Sequence, residues 1–375
     1  MSEQISGFYA WGGSVYQSDI VRACIHPKVK AVGKLCAKHI RETTQPDGGK
    51  KIETNPEVYL RFLLEEPNPY MSGQKLQEKL ATQLCLNNNA FALIVRDMDG
   101  LTREIYPIVA QSVQPKYSKV GELYLQFQMK NGKLFSFPYS DIIHLRQDYN
   151  EHDLFGEPLA PSLAPLMQIV TTTDQGIVNA IKNSAVVRWL LKFTGNINDE
   201  DKDAAVKKFV NAFLSVENGT GAAAVDMKAD AIQVEPKDYV PNALQMDRTT
   251  NRILSLFNSN EKIVQSKWTE DEWNAYYEAE IEPVALDFHN EYTRKIFSRK
   301  QRGFGNSIVF EASNLQYSST STKLNFVQLV DRGAMTPNEW RKLFNFAPID
   351  GGDKAIRRKD TGFANENKEV TQNEN

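Results

Sequence analysis

The chain has 375 residues, 41% of them hydrophobic and 24% charged, and a formal net charge of −3. That length supports more than one module and a sizeable core. The near-neutral charge excludes the basic footprint of a sequence-specific DNA-binding domain. Three cysteines, Cys24, Cys36 and Cys85, lack paired CxxC spacing, which points to a reducing compartment and away from a disulfide framework. Residues 1–10 show no basic stretch followed by an apolar core, so no secretory signal is expected there. The stretch 159–187 comes nearest to a membrane span, but its threonines, Gln175 and Asn179 make it too polar for lipid.

In chain order, Ser18 can cap a first helix whose apolar side is Ile20, Ala23, Cys24, Val29, Val32 and Leu35, with Pro27 as an interruption. Residues 45–51 are polar and read as a loop. Residues 58–64 form a short helix that stops before Pro67-Asn68-Pro69, because residues preceding proline avoid the α region. Ser72 caps the next helix, 73–86. Strands follow at 91–96 and 104–108 around Asp99-Gly100. A second hairpin joins 123–129 to 134–137, with Asn131-Gly132 supplying two positive-φ positions. Residues 141–145 form one more short strand.

From 162 the period changes. Leu163, Val170 and Ile177, with Leu166, Thr173, Ala180 and Val187, mark a long helix of coiled-coil-like spacing, which Gly176 weakens. A strand at 186–193, a helix at 199–214 capped by Asn198, and a strand pair in 222–236 precede a second long helix. Its stripe is Ala243, Met246, Thr250, Ile253 and Phe257. Residues 258–267 are polar, with little to bury, and read as a loop. Thr269 caps a helix striped by Trp273, Tyr277, Ile281, Val284, Phe288, Tyr292 and Ile296, which Pro283 must kink or split. A strand at 308–310 and a helix at 324–330 come next. Thr336-Pro337-Asn338-Glu339 has the cap, N1 proline and box glutamate of a strong helix start. The tail 351–375 is polar and expected to be disordered.

Catalytic signals are thin. His144 and His152 flank Arg146 and Asp148, but His144 ends an apolar strand, where a satisfied structural histidine is the commoner case. His289-Asn290-Glu291 lacks the cysteine pair of a deaminase zinc site. There is no phosphate-binding loop and no nucleophile elbow. The acidic run Asp199, Glu200, Asp201 and Asp203 sits where carboxylates favour a helix dipole. No cofactor and no metal site is expected.

Several segments together resemble the portal proteins of tailed phages of the HK97 type. Pro67-Asn68-Pro69-Tyr70-Met71-Ser72 is similar to that family's turn before a helix. Leu86-Asn87-Asn88-Asn89-Ala90-Phe91, then Arg96-Asp97-Met98-Asp99-Gly100 and Tyr106-Pro107, resemble its strand and hairpin, with Asn88 where Gly is usual. Ser140-Asp141-Ile142-Ile143-His144-Leu145-Arg146 and Gly156-Glu157-Pro158-Leu159 resemble its next two blocks, with Glu157 in place of Ser. Gly333-Ala334-Met335-Thr336-Pro337-Asn338-Glu339-Trp340-Arg341 and Gly351-Gly352-Asp353 resemble its closing block.

The resemblance implies an α+β fold. Residues 1–161 would form a mixed wing of helices and antiparallel sheet. Helices 162–185 and 238–257 would form a stem bracketing a small clip, 186–237. A tunnel loop, 258–268, would follow, then a helical wing or crown region, 269–350. It implies a non-enzymatic homo-oligomeric ring, a dodecamer, at a capsid vertex of the virion, assembled in the host bacterial cytoplasm. Its expected partners are the terminase large subunit, the major capsid protein, a head–tail adaptor and non-specific double-stranded DNA. Lys262, Gln265 and Lys267 are the expected DNA-facing side chains. The rival readings are another virion head or tail subunit, and a nucleic-acid enzyme using His144 or His289.

Overall fold

The structure is a computed structural model. It describes residues 8–9, 15–44, 50–184, 189–193, 198, 202–204, 206–207, 229–233, 243–312, 326–344 and 346–356. The chain divides into two compact units, Met1–Ala160 with Leu254–Asn375, and Pro161–Ile253.

In chain order the first unit opens with β1 (Phe8–Tyr9), α1 (Asp19–Gly33), β2 (Leu35–Thr44), β3 (Lys50–Thr54), α2 (Val58–Glu65) and α3 (Gly73–Asn87). Six strands follow: β4 (Asn89–Arg96), β5 (Thr102–Ile108), β6 (Ser112–Tyr117), β7 (Leu123–Gln128), β8 (Leu134–Pro138) and β9 (Ile142–Arg146). With β1 they make two antiparallel sheets, β1-β6-β7-β8 and β5-β4-β9. A shared core joins these sheets, with Phe91, Val113, Leu125, Phe127, Ile142 and Phe155 buried together. Phe91 meets Phe127 edge-on, ring centroids 5.4 Å apart.

Proline 27 does not interrupt α1. The helix runs through it for 15 residues, capped by the Ser18 hydroxyl, which accepts from the Val21 N–H. Val21, Cys24, Ile25, Val29 and Val32 are all buried, and their burial outweighs the roughly 3 kcal/mol penalty of an internal proline. Leu35, expected on that helix, instead begins β2.

Three hairpins turn in one way. Asp97–Leu101, Ser118–Glu122 and Met129–Lys133 each pair the first N–H with the last carbonyl, at 2.9, 2.8 and 2.9 Å. Each has glycine fourth, Gly100, Gly121 and Gly132, at φ +78, +84 and +77. That is a three-residue loop with a left-handed glycine. Gly132 alone therefore takes positive φ, and Asn131 does not.

The second unit contains α4 (Ala160–Ser184, whose first residue lies in the other unit), the antiparallel pair β10 (Trp189–Phe193) and β11 (Ala229–Gln233), and α5 (Ala243–Leu256), which crosses the unit boundary at its end. Most of the expected helix 199–214 and the rest of the expected strand pair lie outside the described residues. Residues 202–204 and 206–207 are helical.

The first unit resumes with α6 (Glu261–Val264), α7 (Glu270–Tyr276) and α8 (Glu282–Ile296), then α9 (Arg299–Gly303), β12 (Asn306–Ala312), α10 (Val327–Asp331) and α11 (Pro337–Leu343). β12 pairs with β2 to complete the sheet β12-β2-β3. Between α7 and α8 a π turn, Tyr277–Ile281, inserts one extra residue per turn, and Pro283 falls in the first turn of α8. The segment is thus divided into α7 and α8 immediately ahead of Pro283, at a position where a missing N–H is tolerated.

At α11 the capping box is complete. The Thr336 hydroxyl accepts from the Glu339 N–H at 3.2 Å, and the Glu339 carboxylate accepts from the Thr336 N–H at 2.8 Å. Residues 351–356 are not a disordered tail. The Gly352 carbonyl accepts from the Asn338 N–H at 2.9 Å. The Asn338 amide donates to the Ile349 carbonyl and to Asp353, and accepts from the Ile349 N–H. Gly352 packs so closely that a Cβ there would lie 2.4 Å from the Asn338 oxygen. Residues 357–375 lie outside the described residues.

Thr336→Ala should lower stability by about 1 kcal/mol. Asn338→Ala, which breaks the return of the chain onto the helix start, should cost about 2 kcal/mol. Urea unfolding of both variants tests this, and equal losses would contradict the ranking.

Candidate functional site

Segments far apart in sequence meet around the side chain of Asn89. Helix α3 ends in a left-handed residue, Asn88, at φ +54, a conformation that asparagine tolerates better than most residues. The chain then enters β4 at Asn89, whose amide is almost fully buried. Its nitrogen donates to the Asn87 carbonyl at 3.1 Å and the Gly156 carbonyl at 3.0 Å. Its oxygen accepts from the Gly156 N–H at 2.9 Å and from His144 Nε2 at 3.0 Å. Asn88 donates to Asp148 and to the Glu157 carbonyl, both at 2.9 Å. No side chain fits at Gly156, where a Cβ would meet the Gln147 carbonyl at 2.1 Å and the Asn88 carbonyl at 2.5 Å.

His144 is fully buried and stacks on Phe91 at 4.5 Å. Because the Asn89 oxygen can only accept, Nε2 carries the proton and Nδ1 is left to accept from the Tyr139 hydroxyl at 3.4 Å. Burial, reinforced by the charges of Arg146, Lys295 and Arg294, holds its pKa well below the ordinary 6.5. It is a neutral ring with both nitrogens satisfied, not a free acid–base group. His289 donates Nδ1–H to the Ile308 carbonyl at 2.7 Å and ties α8 to β12.

Helix α8 brings the charges. Asp287 accepts from the Arg146 N–H at 3.0 Å, and burial pushes its pKa up to about 6. Glu291, buried, pairs with Arg294 at 2.6 Å. Lys295 donates to the Tyr139 carbonyl and lies 3.7 Å from the centre of that ring. Burial draws its pKa down to about 8. Arg96 joins Asp141 at 2.9 Å and the Lys295 carbonyl at 2.8 Å. A cleft of about 310 Å³ opens beside this network, crossed by the Lys28–Glu280 pair at 2.9 Å. Among the described residues no three His, Cys, Asp or Glu side chains stand together as a metal-binding group. Cys24 is buried, and burial raises its thiol to about 11, far from a reactive thiolate.

The candidate DNA-facing residues sit on a different piece of the unit. Residues 258–267 are not a plain polar loop. Asn258 and Ser266 take left-handed φ of +50 and +57. The Asn260 side chain caps α6, accepting from the Ile263 N–H at 3.0 Å, and α6 packs on α1 with Ile263 buried. Lys262 is ion-paired with Glu272, which also closes the capping box on Thr269. That bond to Lys262 is the main reason the Glu272 carboxyl titrates below its usual range. Gln265 donates to Glu261 at 2.6 Å. Lys267 is exposed and has no acidic partner among the described residues. Trp268 packs against Trp273 with tilted rings, 4.8 Å between centroids, at the far end. The sequence reading missed Ile263: one apolar residue in a polar stretch gives no period.

Comparison with known proteins adds the following. The family model described as phage portal protein matches residues 19–345. The portal protein of Enterobacteria phage HK97 is 23% identical over 329 residues, covering 84% of this chain and 76% of that protein. A chain in the neck of a native gene transfer agent particle, computed with C12 symmetry, superposes with a TM-score of 0.65 at 12% identity, over 90% of this chain and 95% of that one. An HK97-family portal protein from Corynebacterium diphtheriae gives 0.52 at 10% identity, over 83% and 98%.

The buried network sets opposed pH dependences. Asp287, raised from 3.8 to about 6, holds its proton in the folded state where the unfolded chain has lost it. Its contribution is full below 3.8 and is lost as pH rises through about 6. His144, lowered below 6.5, contributes fully above 6.5, and that contribution is lost as pH falls. Asp287→Asn keeps an acceptor for the Arg146 N–H and removes the first slope. Its stability should therefore rise more steeply than wild type between pH 4 and 6. Urea midpoints across that range test the sign, and parallel curves would refute it.

Proposed function

The chain belongs to the phage portal protein family, and we propose that it forms a closed ring of identical subunits at one capsid vertex, the conduit for double-stranded DNA in packaging and ejection. The family match across residues 19–345 carries this reading. The gene transfer agent necks, computed with C6 and C12 symmetry, favour about twelve copies, since a head-to-tail contact repeated by a fixed rotation closes into a ring.

The physics of the second unit supports it. Helix α4 leaves Ile169, Val178 and Ile181 46%, 48% and 65% exposed, and α5 leaves Leu244 56% exposed. An isolated subunit would present these apolar stripes to water, whereas neighbouring copies would cover them. We assign α4 and α5 to a stem, the β10–β11 pair between them to a clip, and residues 1–161 with 269–350 to the wing and crown region. The terminase large subunit, the major capsid protein and a head–tail adaptor are the partners this placement implies. The portal family is structural, and the reading assigns the chain no catalytic step.

We place residues 258–268 along the channel, with Lys262, Gln265 and Lys267 as the side chains nearest DNA. Lys262 and Gln265 are held by carboxylates of their own chain, so Lys267 is the uncommitted cation. Phosphate contacts by such side chains carry no sequence information.

The purified chain should run as a large ring by size-exclusion chromatography with light scattering, and a stable monomer at high micromolar concentration would sink the ring. The double variant Lys262→Ala, Lys267→Ala should give normal rings and proheads but altered DNA translocation or retention. Wild-type packaging and retention in that variant would remove these side chains from the channel.

A further inference from the structure

Charge is segregated along one continuous stretch of the first unit. Residues 270–291 contain eight carboxylates and no lysine or arginine, and residues 292–310 contain five lysines or arginines and no carboxylate. Several of the acids are committed within the subunit: Glu272 to Lys262, Glu280 to Lys28, Glu291 to Arg294, and Asp287 to the Arg146 N–H. Asp271, Glu278 and Glu282 are not. They are exposed, on the side opposite the buried Trp273, Ile281, Val284 and Phe288, and make no ion pair among the described residues. The helix dipole explains acids in the first turn of α7, but not Glu278.

The basic end mirrors this. Arg299 and Lys300 are exposed on α9 without a carboxylate partner among the described residues. Arg302 is half-buried on the same turn and makes no ion pair among the described residues. Each patch also carries one large exposed apolar side chain, Leu286 at 54% on the acidic helix and Phe304 at 63% beside the basic turn. The two patches cannot neutralise each other within one subunit. The helix between Glu282 and Ile296 alone spans roughly 20 Å, well beyond a Debye length of about 8 Å at physiological salt.

We infer that the Arg299, Lys300 and Arg302 turn of one copy seats on the Asp271, Glu278 and Glu282 face of the next copy. The inference rests on the ring reading above and names one of the contacts that would close it. Two different patches on one subunit, complementary in sign, make a head-to-tail contact, the kind that generates a ring. A DNA backbone would satisfy the cations as well. It would leave Phe304 uncovered and the acidic face without a partner, so a second copy accounts for more of the surface.

The test is charge exchange in the full chain, read by light scattering at fixed protein concentration and moderate salt. R299E/K300E and, separately, E278K/E282K should each weaken the contact about tenfold, as two to three partly exposed pairs would, with melting temperature unchanged. The four-fold variant, with both patches reversed, should regain ring assembly. R299Q/K300Q, which removes charge without repulsion, should fall between wild type and R299E/K300E. Rings of wild-type strength in either reversed variant would overturn the contact. So would a four-fold variant no better than the two defects added together. Intact R299E/K300E rings that had lost a gel shift with linear duplex DNA would assign the turn to nucleic acid instead. A monomeric wild-type chain would remove the ring reading and this contact together, whereas wild-type rings beside unaffected variants would remove this contact alone.

Discussion

The first unit is registered against one buried amide. Strand β4 has Ala90, Phe91 and Ala92 all buried, so hydrophobic alternation cannot set its register, because both faces are covered. Asn89 sets it instead. Its oxygen and nitrogen both face Gly156, and the oxygen also holds His144 on β9. A slip by one residue would bury an amide, an imidazole and two backbone groups without partners, each costing on the order of 1–3 kcal/mol. Asn88 reinforces the same join through Asp148 and the Glu157 carbonyl. A glycine at 156 lets these three segments approach so closely, since a Cβ there would meet the Gln147 and Asn88 carbonyls.

That bracket explains why the portal-like segments stand out in the sequence. Asn88-Asn89, His144-Leu145-Arg146 and Gly156-Glu157 are three separate stretches of sequence and one hydrogen-bonded object. Asn68 belongs to the same class. It donates to the Ile105 carbonyl and accepts from the Tyr70 N–H, which fixes the Pro67-Asn68-Pro69 turn on β5. Caps were equally legible, since Thr269 and Thr336 each close a box with a glutamate three residues on. Such signals are local, and a local window contains all their parts.

The misreadings have the opposite character. β2 pairs with β12, Leu35 opposite Ala312 and Arg41 opposite Asn306, across more than two hundred residues of sequence that no window spans. Its first residue, Leu35, also continues the apolar stripe of α1, so the helical period ran on past Lys34, the true C-cap. Pro283 signals a break but not its form, which is a π turn just ahead of the proline. The Glu282 N–H reaches back five residues to the Tyr277 carbonyl, and this π turn delivers the proline to the start of α8. A π turn has no sequence signature of its own; Trp273 and Tyr276 before it and Phe288 and Tyr292 after it are all buried. Asn338 reaching forward to Asp353 is a further case in which a seemingly loose polar end is held by side-chain bonds that spacing alone does not announce.

The ordered structure of residues 258–267 bears on how the proposed DNA conduit could carry lysines at all. Every phosphate neutralised by a fixed cation releases counterions and tightens binding, so free lysines repeated around a ring would hold DNA in place rather than let it pass. Here the ammonium of Lys262 is already matched by Glu272, and that carboxylate is itself committed to the backbone at Thr269. The segment packs on α1 with Ile263 buried, and at its end Trp268 lies against Trp273. If residues 258–268 line the channel as proposed, each subunit would offer DNA a hydrogen-bonding surface with nearly balanced charge and, among these residues, a single lysine without an acidic partner, Lys267. Together with the net charge of −3 on every copy, that arrangement favours many weak, interchangeable phosphate contacts over a few strong ones, which is the condition for a chain to slide.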